Sequence, residues 1–106
     1  MREESKNFEE QILEARNVVM RELHDLHKIS VVQMSDLYLS DVIHEDTEPK
    51  LLVFGQRIRL RNQEPFKRWF EYRKKLKSSL WRDSGYLFCD LKGNSPSLRD
   101  LRRIVL

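Results

Sequence analysis

The sequence predicts an α+β fold in which helices pack on a small antiparallel three-stranded sheet. Apolar residues recur every three or four positions over about residues 6–27 and again over about residues 63–80, as in amphipathic helices. Between these stretches, residues 51–60 show the shorter alternation that is typical of β-strands. The chain has 106 residues, with only 3 Gly and 3 Pro and no linker-like segment, so we expect a single domain over residues 1–106.

The first half of the chain predicts two helices followed by a loop. The first helix has one apolar stripe, formed by Phe8, Ile12, Ala15, Val19, Leu23 and Leu26. Ser30 and Gln33 have the spacing of a capping box, which predicts a second, short helix that buries Met34 and Leu37. Acidic residues cluster over residues 41–49, so we expect an acidic loop there.

A β-hairpin is predicted next. Residues 51–54 and 57–60 have the composition of two short strands, and Gly55 between them suits a tight turn. Because side chains alternate along a strand, Arg57 and Arg59 are expected to face outward together while their apolar neighbours are buried.

The last part of the chain predicts a helix, a third strand and a final helix. The helix over about residues 63–80 carries aromatic residues at helical spacing, and we expect Trp69 to belong to the core. Its basic residues are expected to form a solvated face, consisting of Arg73, Lys74, Lys75 and Lys77. Residues 86–89 predict a short buried strand, and Ser97 caps a helix that ends near Val105.

Charge is distributed unevenly along the chain. Residues 1–49 contain 5 Lys/Arg and 12 Asp/Glu, a net charge of −7, whereas residues 50–106 contain 15 Lys/Arg and 5 Asp/Glu, a net charge of +10. A segment this basic is typical of a surface that contacts a phosphate backbone. An acidic half that simply packs beside a basic half gives the same distribution, so charge alone leaves both interpretations open.

The order of these elements resembles the catalytic domain of the tyrosine recombinases, which include the phage integrases. Residues 83–88, Asp-Ser-Gly-Tyr-Leu-Phe, are close to the family's "d-s-x-y-L-F" segment. Three further stretches are in register with the family's second element, the return strand of its hairpin and a later helix: residues 29–42, 57–60 and 97–104. The resemblance covers about residues 8–106 and corresponds to the N-terminal part of that domain.

The departures from the family concern its chemistry. The family's first catalytic arginine falls at Ser30, which has no charged fork to stabilise a phosphoryl transition state. The glutamate after it falls near Gln33, and the hairpin lysine that acts as general acid falls at Gly55 and Gln56. The His-x-x-Arg box and the tyrosine nucleophile would come after Leu106. The resemblance therefore implies a catalytically inactive domain, and we expect that this chain is not an enzyme.

The function implied by the resemblance is binding of double-stranded DNA, or regulation of DNA recombination in a mobile element. Family members place the hairpin and the final helix with its preceding loop beside the duplex. The candidate DNA-binding residues are therefore Arg57, Arg59, Arg61, Lys92, Ser97, Arg99, Arg102 and Arg103. Contacts of this kind would position the chain on phosphates without reading base sequence.

Three alternatives remain open from the sequence. The chain is a protein-interaction or homodimerisation module that binds a recombinase or a second copy through its acidic first helix. Otherwise it is a fragment of a larger recombinase, or an evolutionary remnant with no selected activity.

Cofactor, metal and membrane sites are not expected. His24 and His27 lie three residues apart on one helix, but no third ligand completes a metal site, so we expect solvated histidines. Cys89, the single cysteine, is expected to be a small buried hydrophobe. A single cysteine, the lack of an apolar run of about 20 residues and a charged N-terminus without a secretory signal predict a cytoplasmic protein with no membrane contact.

Overall fold

The computed structural model describes residues 2–45, 48–80 and 82–106. In these ranges it has four α-helices, a short 3-10 turn and one three-stranded sheet, which confirms the α+β class. In chain order the elements are α1 (Arg2–Asp25), α2 (Val31–Ser35), the 3-10 turn (Leu39–Asp41), β1 (Val42–Glu45), β2 (Glu48–Val53), β3 (Gln56–Ile58), α3 (Gln63–Ser79) and α4 (Leu98–Val105).

The first two helices form as predicted. The middle of the α1 stripe is buried, but its ends, Phe8 and Leu26, are exposed because the neighbouring elements do not cover them. The capping box of α2 is complete: the Ser30 hydroxyl accepts from the Gln33 N–H at 3.1 Å, and the Gln33 side chain accepts from the Ser30 N–H at 2.9 Å. These bonds fix the start of a helix that is only five residues long.

The sheet has the strand order β1-β2-β3 and is antiparallel throughout. The predicted hairpin is confirmed as β2–β3, with Leu51 opposite Ile58 and Val53 opposite Gln56. On its other side, Leu51 lies opposite Val42 of β1. Since paired residues share a face, Leu51, Val42 and Ile58 point toward the core, while Arg57 and Arg59 are exposed as predicted.

The prediction of an acidic loop over residues 41–49 was wrong. Most of this stretch forms β1 and the start of β2, and only Asp46 and Thr47 lie outside the described residues. Alternate residues of β1 face the core, although acidic residues surround them in the sequence. Val42 packs against the core, and the ring of His44 lies 5.8 Å from that of Phe70 on α3. Pro49 is tolerated in β2 because β3 pairs only with residues 51–53 and ends before reaching it.

The predicted strand over residues 86–89 was also wrong. Leu87, Phe88 and Cys89 are buried and Tyr86 is half-buried, but the segment forms only an isolated bridge between Tyr86 and Tyr38 and lies outside the sheet. The third strand of the sheet is β1 instead. Side chains take the place of a neighbouring strand: the carbonyls of Tyr86, Leu87 and Cys89 accept from Arg73 at 2.8 Å, Trp69 at 3.0 Å and Arg16 at 2.9 Å. Three of the segment's carbonyls are thus satisfied without a β-ladder.

Candidate nucleic-acid interface

Helix α4 presents three of the predicted basic residues on one exposed face. Arg99, Arg102 and Arg103 follow the i, i+3, i+4 spacing of a single helical stripe, and all three are exposed. The opposite side of the helix is fixed in the core by Leu101 and Val105 where α4 packs against α1 and α2. Among the described residues, no carboxylate forms an ion pair with any of the three arginines.

Ser97 has a structural role at the start of this helix. Its hydroxyl accepts from the Asp100 N–H at 3.1 Å and so caps α4, as the sequence predicted. Lys92 is exposed in the preceding loop, where its own N–H donates to the Asp90 carboxylate at 2.8 Å. The lysine side chain is therefore exposed to solvent, whereas the serine hydroxyl is already engaged within the protein.

The hairpin arginines differ from those of α4 because one of them has a carboxylate partner. Arg59 makes two hydrogen bonds to Glu48 of β2, at 2.7 and 2.8 Å. This forked contact lowers the pKa of the Glu48 carboxyl and raises that of Arg59, so both groups remain charged. Arg57 is exposed on the same face of the hairpin, opposite Leu52. The net positive charge that the hairpin offers to a phosphate is therefore smaller than the sequence suggested.

Arg61 and α4 both lie beside the C-terminal part of α1. The Glu22 carboxylate of α1 accepts from the backbone N–H groups of Arg61 and Asn62, while the side chain of Arg61 is exposed. The residue before Glu22, Arg21, donates to the carbonyl of Ile104 on α4 at 3.1 Å. The C-terminal end of α1 thus binds both the segment that follows β3 and the last turn of α4.

Two arginines are buried and do not belong to any surface. Arg73, expected on a solvated face, has a fully buried side chain that makes paired 2.6 Å hydrogen bonds to the Asp83 carboxylate. This contact lowers the pKa of Asp83. Burial lowers the pKa of Arg16, whose guanidinium lies 6.0 Å from the centre of the Trp69 ring. The prediction for Arg73 was wrong because this residue lies on the buried face of α3. On that face its guanidinium meets the carboxylate of Asp83 and the carbonyl of Tyr86.

The other candidate groups have ordinary structural surroundings. Trp69 and Cys89 are buried, as predicted, and burial raises the pKa of the Cys89 thiol to about 11. His24 contacts Asp25, and His27 contacts Glu22. Within the described ranges, no three His, Cys, Asp or Glu side chains come close enough to hold a metal ion.

Phe54 has a special position that was not predicted from the sequence. Phe54 and Gly55 form the two-residue turn between β2 and β3, with φ values of 50° and 77°. Positive φ at both positions is typical of a type I′ turn, in which Asn-Gly is favoured. For a phenylalanine this conformation costs about 1–2 kcal/mol. A two-residue loop ending in glycine between alternating strands was the signal that could have identified it.

Comparisons with known proteins identify no relative of this chain. No family model, curated protein or solved structure matches it. In the part of the chain that the structure describes, no helix has the length and apolar character needed to cross a bilayer.

Proposed function

We propose that this chain is a catalytically inactive, integrase-like domain that binds double-stranded DNA or regulates its recombination in a mobile element, in the cytoplasm. The observation that carries the proposal is the exposed stripe of Arg99, Arg102 and Arg103 on α4, which has no acidic partner among the described residues. Guanidinium groups held on a rigid helix suit the oxygens of successive phosphates. Lys92 and Arg61 are further exposed basic residues that the proposal includes among the DNA contacts.

The local structure at two positions supports the proposal that this chain does not cleave DNA. Where the resemblance places a catalytic arginine, the chain has Ser30, whose hydroxyl and N–H are both used in the capping box of α2. Where the resemblance places a general acid, it has Gly55 and Gln56 at the end of a tight turn. Neither position offers a charged or acidic group to a scissile phosphate.

The test is fluorescence anisotropy with a labelled random duplex of about 30 base pairs, at several salt concentrations. The triple variant Arg99→Gln, Arg102→Gln, Arg103→Gln is compared with the unchanged protein. Its matched control is Lys67→Gln, Lys75→Gln, Lys77→Gln, which removes the same charge from exposed positions of α3. We expect the α4 variant to bind much more weakly and to reduce the slope of log K against log salt by about 3, since each phosphate contact contributes about 0.9.

Three results would contradict the proposal. They are no binding by the unchanged protein at micromolar concentration in low salt, equal losses in the two triple variants, or a loss confined to the α3 variant. Equal losses would show that only net charge matters.

A second candidate function is association with another copy of the chain or with a recombinase. It is favoured by the opposite charges of two surfaces: Glu9 and Glu10 are exposed on α1, while the α4 arginines are exposed on the other half of the chain. Such surfaces would join head to tail and separate as salt rises. Sedimentation equilibrium in low and high salt tests this function, and a monomer under both conditions would exclude it for self-association.

A further inference from the structure

The tip of the β2–β3 hairpin combines an unfavourable backbone conformation with an exposed aromatic ring. Phe54 has a φ of 50°, and 80% of the residue is exposed. Aromatic residues are rarely placed in this region, because the Cβ atom approaches the backbone. The ring makes no aromatic or cation–π contact within the described part of the chain. Among the described residues no ring contact compensates for the phenylalanine here, so the position points to a role outside the fold.

The surface next to the ring has a net positive charge. The outward face of the hairpin carries Arg57 directly opposite Leu52, which is 37% exposed. Arg59 follows two positions later and is paired with the Glu48 carboxylate of the same face. Lys50 alternates onto the same face. An exposed apolar tip with cations behind it is complementary to nucleic acid, in which stacked bases are flanked by two rows of phosphates. An apolar pocket of a protein partner would need no such flanking charge.

We propose that Phe54 inserts as an apolar wedge between neighbouring base pairs while the hairpin arginines contact the adjacent phosphates. This inference rests on the proposed DNA-binding function and adds a bending activity to it. Aromatic and aliphatic side chains on rigid supports unstack a base step and kink the duplex in this way. The two-residue turn is such a support, because it fixes the ring at the end of two paired strands.

The key variant is Phe54→Asn, because asparagine is favoured in the first position of a type I′ turn. We expect it to fold and to unfold at a higher temperature than the unchanged protein, so a loss of function cannot come from loss of structure. Phe54→Tyr keeps the ring and serves as the conservative variant. Phe8→Asn is the matched control, since it removes an exposed phenylalanine from α1, where the backbone is helical.

Unstacking is measured with a duplex that contains 2-aminopurine at successive steps, and bending with donor and acceptor dyes at its ends. We expect the unchanged protein, Phe54→Tyr and Phe8→Asn to raise the 2-aminopurine fluorescence and to shorten the distance between the dyes. Phe54→Asn is expected to do neither and to bind about 10-fold more weakly, within the range measured for loss of one base–aromatic contact.

The outcomes separate this inference from the proposed function. If the duplex binds and Phe54→Asn retains the affinity, the fluorescence change and the bend, the wedge is wrong and DNA binding stands. If the unchanged protein binds no duplex, the proposed function fails, and the ring is then assigned to a protein partner. A Phe54→Asn variant that unfolds at a lower temperature would overturn the claim that the ring is unfavourable for the fold.

Discussion

The arginines around the buried segment 86–89 and those on α4 are the same residue type in opposite roles. Arg16 and Arg73 donate to carbonyls of that segment and to a carboxylate, and they are buried. Arg99, Arg102 and Arg103 are exposed, and none of them has an ion-pair partner among the described residues. The comparison teaches that the count of basic residues overstates the charge available to a ligand. The available charge depends on which positions face acceptors within the chain.

The largest expected effect is on the buried side of this comparison. Asp83→Asn removes the negative charge that faces Arg73 and leaves an unpaired cation in the interior. We expect the free energy of unfolding to fall by about 3–5 kcal/mol, as for other broken buried pairs. Urea denaturation measures the loss. The control is Glu71→Gln, which breaks the exposed Lys74–Glu71 pair on the same helix and should cost less than about 1 kcal/mol. Similar losses in the two variants would contradict the structural role assigned to Arg73.

The same pair predicts acid sensitivity. The folded pKa of Asp83 lies below its unfolded value of about 3.9, because the carboxylate accepts two hydrogen bonds from Arg73. Its stabilising contribution is therefore fully present above the unfolded pKa and is lost as pH falls through the lower folded value. Thermal unfolding at a series of pH values should show a steep acid decline that is shallower in Asp83→Asn. An unchanged acid profile in the variant would exclude this assignment.

Cys89 predicts a smaller effect at alkaline pH. Burial raises its folded pKa to about 11, above the unfolded value of about 8.5. The buried thiol therefore contributes stability that is complete below the unfolded pKa and is lost as pH rises toward the folded one. Cys89→Ala should remove this part of the alkaline decline. Reaction of the native thiol with an alkylating reagent at pH 8 should also be slow, and rapid reaction would contradict its burial.

A substitution at Ser97, which caps α4, is expected to change the stability of the protein but not its affinity for DNA. Ser97→Ala removes the hydroxyl that accepts from Asp100 and should cost about 1 kcal/mol of stability. Because that hydroxyl is engaged within the protein, DNA affinity below the unfolding temperature should change little. Ser97→Asp, which preserves the cap, should restore stability. Strong loss of DNA affinity in a folded Ser97→Ala protein would show that the hydroxyl contacts the ligand.

The smallest expected change in stability comes from the α4 arginines themselves. Arg99→Gln, Arg102→Gln, Arg103→Gln should alter the free energy of unfolding by no more than about 0.5 kcal/mol per substitution, because each side chain is exposed. Urea denaturation of the triple variant checks this. A large destabilisation would place these arginines with Arg73, among the structural ones, and would end the contrast between the two regions.

Local patterns predicted the helices, the capping box and the β2–β3 hairpin, because each is specified by residues close in sequence. Helix α3 begins and ends within a residue of its prediction. The errors arose where long-range contacts decide. Strand β1 was missed because acidic residues flank its apolar ones. The apolar, buried segment 86–89 resembled a strand, but side chains from two helices, and no neighbouring strand of the sheet, donate to its carbonyls.

The candidate site shows the same division. The stripe on α4 follows from helical spacing alone, so the sequence predicted all three arginines together. The pairing of Arg59 with Glu48 requires the register of β2 and β3, in which they are diagonal neighbours, and Glu48 had been placed in a loop. The unfavourable turn position of Phe54 likewise depends on a pairing that ends at Val53 and Gln56.

The side-chain donors to segment 86–89 also determine when this part of the chain can fold. Its hydrogen bond to Arg16 joins residues that are 73 positions apart in the sequence. Its hydrogen bond to Leu37 joins it to a residue that precedes all three strands of the sheet in the sequence. Contacts with such separation form only after the intervening chain has closed its loops. We therefore expect the segment to be ordered late, after α1 and α3 have paired. Substitutions at Arg16 should then accelerate unfolding and leave the refolding rate almost unchanged.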